Sequence, residues 1–242
     1  MRNRMMQLLS NRATVPAVPL RAEATDNGLE VRVYDVIDPW FGATAAQFSD
    51  AIKGSGDAPL TIRVNSPGGD VFEGRAIASL IRGYPGPTRA IVDGLAASAA
   101  STVAIAAQTT VMATGSMMMV HNAWGLALGN SADMRQTADL LDKVDAELAA
   151  DYARKTGCTL QQAVDWMAAE TWFTAQETVD AKLANAIADD PATFAAWNLS
   201  AFDHAPSALV ERIAALSHRP SGPTPEEMRA HAARRLRLYE TA

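Results

Sequence analysis

The sequence predicts an α/β domain built on a mainly parallel sheet. Segments with the two-residue alternation of half-buried strands recur between segments of helical spacing, and Gly-bearing turns join strand to helix in the second and third of these pairs. Strands that alternate with helices return to one sheet by right-handed crossovers, which makes neighbouring strands parallel.

In the first step, residues 29–37 (LEVRVYDVI) alternate apolar and polar, and a helix over 44–53 gathers Ala45, Phe48, Ala51 and Ile52. The second step is a strand over 60–64, the turn Asn65-Ser-Pro-Gly-Gly69, and a helix with Phe72, Ala76 and Leu80 on one face and Ile77 and Ile81 beside them. The third runs from a strand at 89–92 through Asp93-Gly94 into a small-residue helix over 97–107. Short strands follow at 110–113 and 117–121. Residues 131–154 then form a long amphipathic helix with Thr137, Leu141, Val144, Leu148 and Tyr152 as its apolar stripe; it follows a Gly/Asn loop and is expected to project from the body. Short helices are expected over 159–167 and 173–181, and a last strand over 183–187.

The chain divides into a flexible N-terminal arm (1–27), one main domain (28–198) and a C-terminal extension (199–242) made of a linker at 218–225 and a helix at 226–239. The arginine-bearing start MRNRMMQLLSNRA has an apolar stretch shorter than the roughly 7–15 residues of a secretory h-region. The weakly polar run at 95–107 is shorter than the ~20 residues of a spanning helix, so no membrane segment is expected.

Hydrophobic residues make up 48% and charged residues 20% of the 242, an ordinary globular composition. The net charge of −6 argues against nucleic acid as a partner, because phosphate binding needs a basic excess. A single cysteine, Cys158, excludes an internal disulfide framework and a cysteine zinc cluster, and fits a reducing compartment such as the cytoplasm.

Three of the four histidines (His204, His218, His231) fall in the extension, so a histidine base in the main domain is His121. Gly94-Leu-Ala-Ala-Ser98-Ala-Ala-Ser101 puts a serine at a strand-to-helix transition, where the first helical N–H groups are unpaired and the dipole favours negative charge. The amide of Ala99 follows the serine directly and is placed to donate to an oxyanion. A tightly packed Ala/Ser helix is the competing account of the same segment. Ser101 competes for the nucleophile's role, but it lies nearly a turn into the helix, where its hydroxyl can bond back to a carbonyl. The turn 65–69 and these two sites share one kind of place, the carboxyl ends of successive parallel strands, where α/β sheets collect their active sites.

The ordered set NSPGGDVFEG, DGLAASAAS, MMMVHNAW, TGCTLQQAV and WFTAQETVDAKLANA resembles the Clp protease proteolytic subunit, with the greatest likeness to the Clp-like proteases of phage and prophage head-gene clusters. The likeness covers about residues 28–190. It implies a spiral of β-β-α units shared with crotonases and a projecting handle helix from Ser131. It implies Ser98 as nucleophile, His121 as general base and an oxyanion hole of Gly68 and Ala99, with no metal or organic cofactor. It also implies polypeptide substrates and a homo-oligomer of stacked heptameric rings, partnered by an AAA+ unfoldase or phage capsid proteins.

The pattern breaks at the third triad position, where the family's aspartate is replaced by Thr171. Glu170, the Thr171 hydroxyl and Asp165 are the alternatives for orienting the imidazole; loss of the orienting acid alone costs about 10⁴-fold in a triad enzyme. Lys182 stands where the family usually has glycine, and Asn185 where aspartate is common. There is no Walker-type loop, so ATP dependence would come from a separate partner. Two other readings stay open: a ring subunit of the same fold without activity, and a crotonase-type acyl-CoA enzyme, whose backbone oxyanion hole is similar.

Overall fold

A computed structural model describes residues 20–217, apart from 41 and 194–196. It is α/β with a mainly parallel sheet. Among the described residues the strands are β1 (Arg21–Thr25), β2 (Gly28–Val33), β3 (Leu60–Ser66), β4 (Thr88–Ala97), β5 (Thr109–Thr114), β6 (Met117–Val120), β7 (Thr171–Thr174) and β8 (Ala186–Pro191). They run in the order β1-β2-β3-β4-β5-β8, with β6 beside β4 and β7 beside β6. The pairs β1/β2 and β6/β7 are antiparallel and the others parallel. The helices are α1 (Ala45–Ile52), α2 (Val71–Arg82), α3 (Ala99–Ile105), α4 (Ser131–Thr156), α5 (Leu160–Ala168), α6 (Ala175–Asp180) and α7 (Ser207–Ser217).

Strand β4 forks the sheet. Its first half, from Arg89 to Val92, pairs with β5, and its second half, from Leu95 to Ala97, pairs with β6. The fork carries β6 and β7 out of the main layer, and the ends of β4 and β6 become neighbours.

One face of the sheet is apolar. Val31, Val33, Ile62, Val64, Ala90 and Val92 are buried there against Phe48 of α1, Ile77 and Ile81 of α2 and Val103 of α3. On α2 the buried residues are Gly74, Ile77, Ala78 and Ile81, whereas Phe72 is 58% exposed. The expected stripe of Phe72, Ala76 and Leu80 is therefore corrected by about one position, because Gly74 brings its turn of helix closest to the neighbouring helix. Helix α4 buries Val144, Leu148 and Tyr152 as expected, and its first half from Ser131 to Lys143 stays exposed or half-buried as it leaves the body.

Four further expectations need correction. Residues 93–97, expected as the Asp93-Gly94 connection and the start of a helix, continue β4 to Ala97, where Leu95 to Ala97 pair with β6, and α3 begins only at Ala99. Residues 21–25, expected in the arm, form β1, because Asp26-Asn27 is a two-residue hairpin loop closed by Thr25 opposite Gly28; residues 1–19 lie outside the described ones. Phe173 lies on β7, not in a helix: Thr-Trp-Phe-Thr is β-branched and aromatic, and the next helix starts at the Thr174 cap, whose capping box is closed by Glu177. The last strand begins at Ala186; Leu183, expected within it, is a fully buried residue of the preceding turn.

The expected linker at 218–225 and helix at 226–239 lie outside the described residues. The part of the extension that is described is docked on the domain. After β8 the chain crosses the second face of the sheet, where Thr193 N–H donates to the Asp93 carbonyl at 2.7 Å and the Asn65 amide donates to the Thr193 carbonyl at 2.9 Å. The crossing needs Gly94, since a Cβ there would stand 2.2 Å from the Thr193 carbonyl oxygen. Beyond it, Trp197, Leu199, Phe202, Leu209 and Ile213 bury a second apolar cluster with Val36, Leu95, Ala97 and Met119.

Candidate active site

Register brings the chemistry together. In the parallel pair of β4 and β6, Ala97 stands opposite Met119, and the ladder is extended by Ser98 N–H donating to the Met119 carbonyl at 2.9 Å. Ser98 follows β4 and His121 follows β6, so both lie at carboxyl ends of adjacent parallel strands. His121 Nε2 is 2.7 Å from Ser98 Oγ. Ser98 is half-buried and His121 buried, so the hydroxyl is the more accessible of the two.

Ser98 adopts φ 55° and ψ −126°, outside the ordinary regions for a residue with a Cβ. A sharp strand-to-helix turn of this kind lifts the serine side chain out of the packed layer, at a cost of about 1–3 kcal/mol in backbone strain. Ser98 caps α3 without a side-chain hydrogen bond, so its hydroxyl is left to the imidazole. Ser101, the competing serine, is fully buried; its hydroxyl donates to the Ser98 carbonyl at 2.6 Å and lies 2.7 Å from the Tyr152 hydroxyl.

The Asn65–Gly69 turn closes over the same point. Gly68 has φ 87°, and a Cβ there would stand 2.8 Å from the Ser98 Cβ and 2.9 Å from the Ala99 nitrogen, so only glycine fits. The Gly68 N–H donates to Ser66 Oγ at 3.1 Å, and Ser66 in turn donates to the Asp35 carbonyl at 2.6 Å. Of the two amides expected to bind an oxyanion, Ala99 opens α3 and has no intrahelical acceptor, whereas Gly68 is held within its own turn. The next amide, Gly69, has no hydrogen bond among the described residues.

The candidates for the third position are dispersed. Thr171 pairs with Val120, next to His121 in chain, yet its hydroxyl donates to the Trp166 carbonyl at 2.8 Å. Asp165 lies exposed on α5 and accepts from Gln161 at 2.8 Å. Glu170 is buried, and its carboxylate accepts from the amides of Asp203 and His204 at 3.0 and 2.7 Å and from the Trp172 indole at 3.3 Å. The ring of Phe202 stands edge-on to His121, centroids 5.7 Å apart at 85°. Sequence reasoning missed Phe202 altogether, since nothing local marks a residue 81 positions beyond His121 as its neighbour.

The loop after His121 is tied to α4 by Ala123 N–H donating to Asp145 at 2.6 Å; burial pushes that carboxyl above the usual range. Lys182 has φ 61°, the left-handed conformation that a glycine would adopt without strain. Among the described residues no group of three or more His, Cys, Asp or Glu side chains is arranged to hold a metal ion, and no helix is long and apolar enough to cross a membrane.

A strained serine, an imidazole in hydrogen-bond contact with it and the open Ala99 amide beside it are parts an acyl-transfer site requires. Residues 46–191 match the Clp protease family, and the chain belongs to that family. It is 30% identical over 120 residues to the ATP-dependent Clp protease proteolytic subunit of Bacteroides fragilis, covering 49% of this chain and 58% of that one. It is 31% identical over 129 residues to proteolytic subunit 1 of Protochlamydia amoebophila, covering 50% and 61%. The chain thus spans under two thirds of the length of these relatives. The ClpP1 N165D mutant from Listeria monocytogenes has the same fold, with a TM-score of 0.58 and 22% identity over 66% of this chain and 91% of that one.

Proposed function

We propose that the protein is a serine endopeptidase. Ser98 attacks a peptide carbonyl while His121 takes its proton; His121 then returns the proton to the leaving amine, and water hydrolyses the acyl-enzyme by the same route. The observation that carries this reading is the 2.7 Å contact of His121 Nε2 with Ser98 Oγ at a strained turn. Ala99 N–H supplies one oxyanion donor. Gly68 shapes the hole by leaving room beside Ser98, and the neighbouring Gly69 N–H is the better second donor, since the Gly68 amide is already bonded.

The substrate class is polypeptide, and ATP-driven unfolding would come from a separate chain. The working form is a stacked-ring homo-oligomer, joined in part through the loop before α4 and its first half, where Leu126 and Leu128 are 67% and 84% exposed and Leu140 is 50% exposed.

A second reading, a ring subunit of this fold without peptidase activity, is favoured by Thr171, whose hydroxyl is engaged by Trp166. A fluorophosphonate probe separates the two. The first reading expects an adduct on Ser98 in the intact protein, lost in Ser98→Ala and His121→Ala; an assembled protein that gives no adduct supports the second.

A further inference from the structure

We propose that segment 197–204, fixed by Glu170, is a positioning element of the active site that orients His121 through Phe202. The inference rests on the reading of Ser98 and His121 as nucleophile and base.

An imidazole base works only while its Nε2 stays on the nucleophile, and a rotation that opens the contact by an ångström can cost about 10²-fold in rate. A carboxylate bonded to the far ring nitrogen is one way to prevent that rotation. Packing a second ring against the imidazole at right angles is another. Phe202, 4% exposed, does this from one side, and its other neighbour is Trp172, 5.6 Å away at 78°. Trp172 lies on β7 opposite Met119 of β6, so the row Trp172–Phe202–His121 starts on β7 and ends at the residue that follows its partner β6.

Phe202 would not stay there unaided, because it belongs to an irregular segment after a single 3-10 turn at Leu199–Ala201. Glu170 supplies the anchor. The carboxylate of Glu170, a residue 7% exposed, collects the amides of the two residues that follow Phe202 and the indole N–H of Trp172, which fixes the Trp172 ring and the backbone beside Phe202 from one group. Glu170 also has φ 49°, at the helix-end position that glycine fills most readily. A glutamate held in that conformation is explained by what its carboxylate binds. In the region where the family resemblance implies an acid that holds the imidazole directly, this chain has an acid one residue earlier that holds the imidazole's neighbour.

The test uses the full chain and the fluorophosphonate, with the inactivation constant kinact separated from the binding constant KI. Phe202→Ala is expected to lower kinact by about ten-fold or more with KI within about two-fold. Phe202→Tyr restores most of the loss. Glu170→Gln, whose amide group must face a backbone N–H, lowers kinact as well. The double variant is no slower than Phe202→Ala alone, because both act on the same ring. Ile62→Val, a core change remote from the site, reports what lost stability alone does to kinact. If Phe202→Ala does not fold, Glu170→Gln carries the test, with circular dichroism and assembly size confirming its integrity. Variants that fold and keep kinact within about two-fold of wild type overturn the inference while leaving the Ser98–His121 reading standing. A wild-type protein that is not labelled at Ser98 overturns that reading, and this one with it.

Discussion

Gly74 faces Ala99 so closely that a Cβ added to the glycine would stand 2.9 Å from the Ala99 Cβ. This contact seats the start of α3, and with it the Ala99 amide, against α2. Gly74→Ala must push α3 away or bend α2; it is expected to destabilise the fold by about 1–3 kcal/mol and to slow fluorophosphonate labelling more than thermal melting accounts for. Unchanged labelling in the folded variant would mean that the position of the Ala99 amide does not matter.

Strain at Ser98 predicts an asymmetry between two inactive variants. Ser98→Ala keeps a Cβ at φ 55°, whereas Ser98→Gly removes it. The glycine variant is expected to be the more stable by about 1 kcal/mol, read from urea midpoints. Equal midpoints would show that the turn is not strained.

Thr171→Val keeps the β-branched shape that pairs with Val120 and loses only the hydroxyl that donates to Trp166. Stability should fall by about 1 kcal/mol because the Trp166 carbonyl loses its partner. Labelling of Ser98 should change by less than about two-fold. A larger loss of kinact would return Thr171 to the list of groups that orient the imidazole.

Tyr34, Arg63 and Asp93 form a charged cluster on the second face of the sheet, where Tyr34 donates to Asp93 at 2.5 Å. Burial first, then this bond, pushes the Tyr34 phenol up to about 12 from 10.0. The folded state thus keeps a proton that the unfolded chain releases. Its contribution to stability is whole below pH 10.0 and is lost as pH rises toward about 12. Urea titrations across that window should show stability falling in the wild type and falling less steeply in Tyr34→Phe. Identical slopes would exclude the cluster as the source.

Leu126→Ser with Leu128→Ser changes two side chains that the protomer leaves in solvent. The protomer's own fold should be unaffected, while light scattering should find smaller assemblies. A double variant with wild-type mass would remove this loop from the proposed ring interface.

The sequence made the parallel core legible because strands such as 60–64 and helices such as 44–53 follow periodicities set by burial. Ser98 and His121 were candidates from the strand-to-helix transition at 94–101 and from the distribution of the four histidines, and their roles as a pair came from the family resemblance. Two things escaped. Phe173 was absorbed into a helix because a four-residue strand is too short for alternation to register, although its β-branched and aromatic composition was a usable sign. The docking of 197–213 was invisible because it depends on the apolar second face around Leu95 and Met119, which forms only once β4 has forked between β5 and β6.

The crossing at Gly94 has a consequence for the order in which the molecule becomes competent. Ser98 and His121 are both made before residue 122, but Phe202, the ring packed against the imidazole, is made only after β8 has closed the sheet edge and the chain has passed over Gly94. A nascent chain that has emerged through β7 therefore carries both reactive groups while the apolar floor beneath His121 is still wet. On the roles proposed for Ser98, His121 and Phe202, a chain that stops at β7 is a poor hydrolase, and competence waits for segment 197–204.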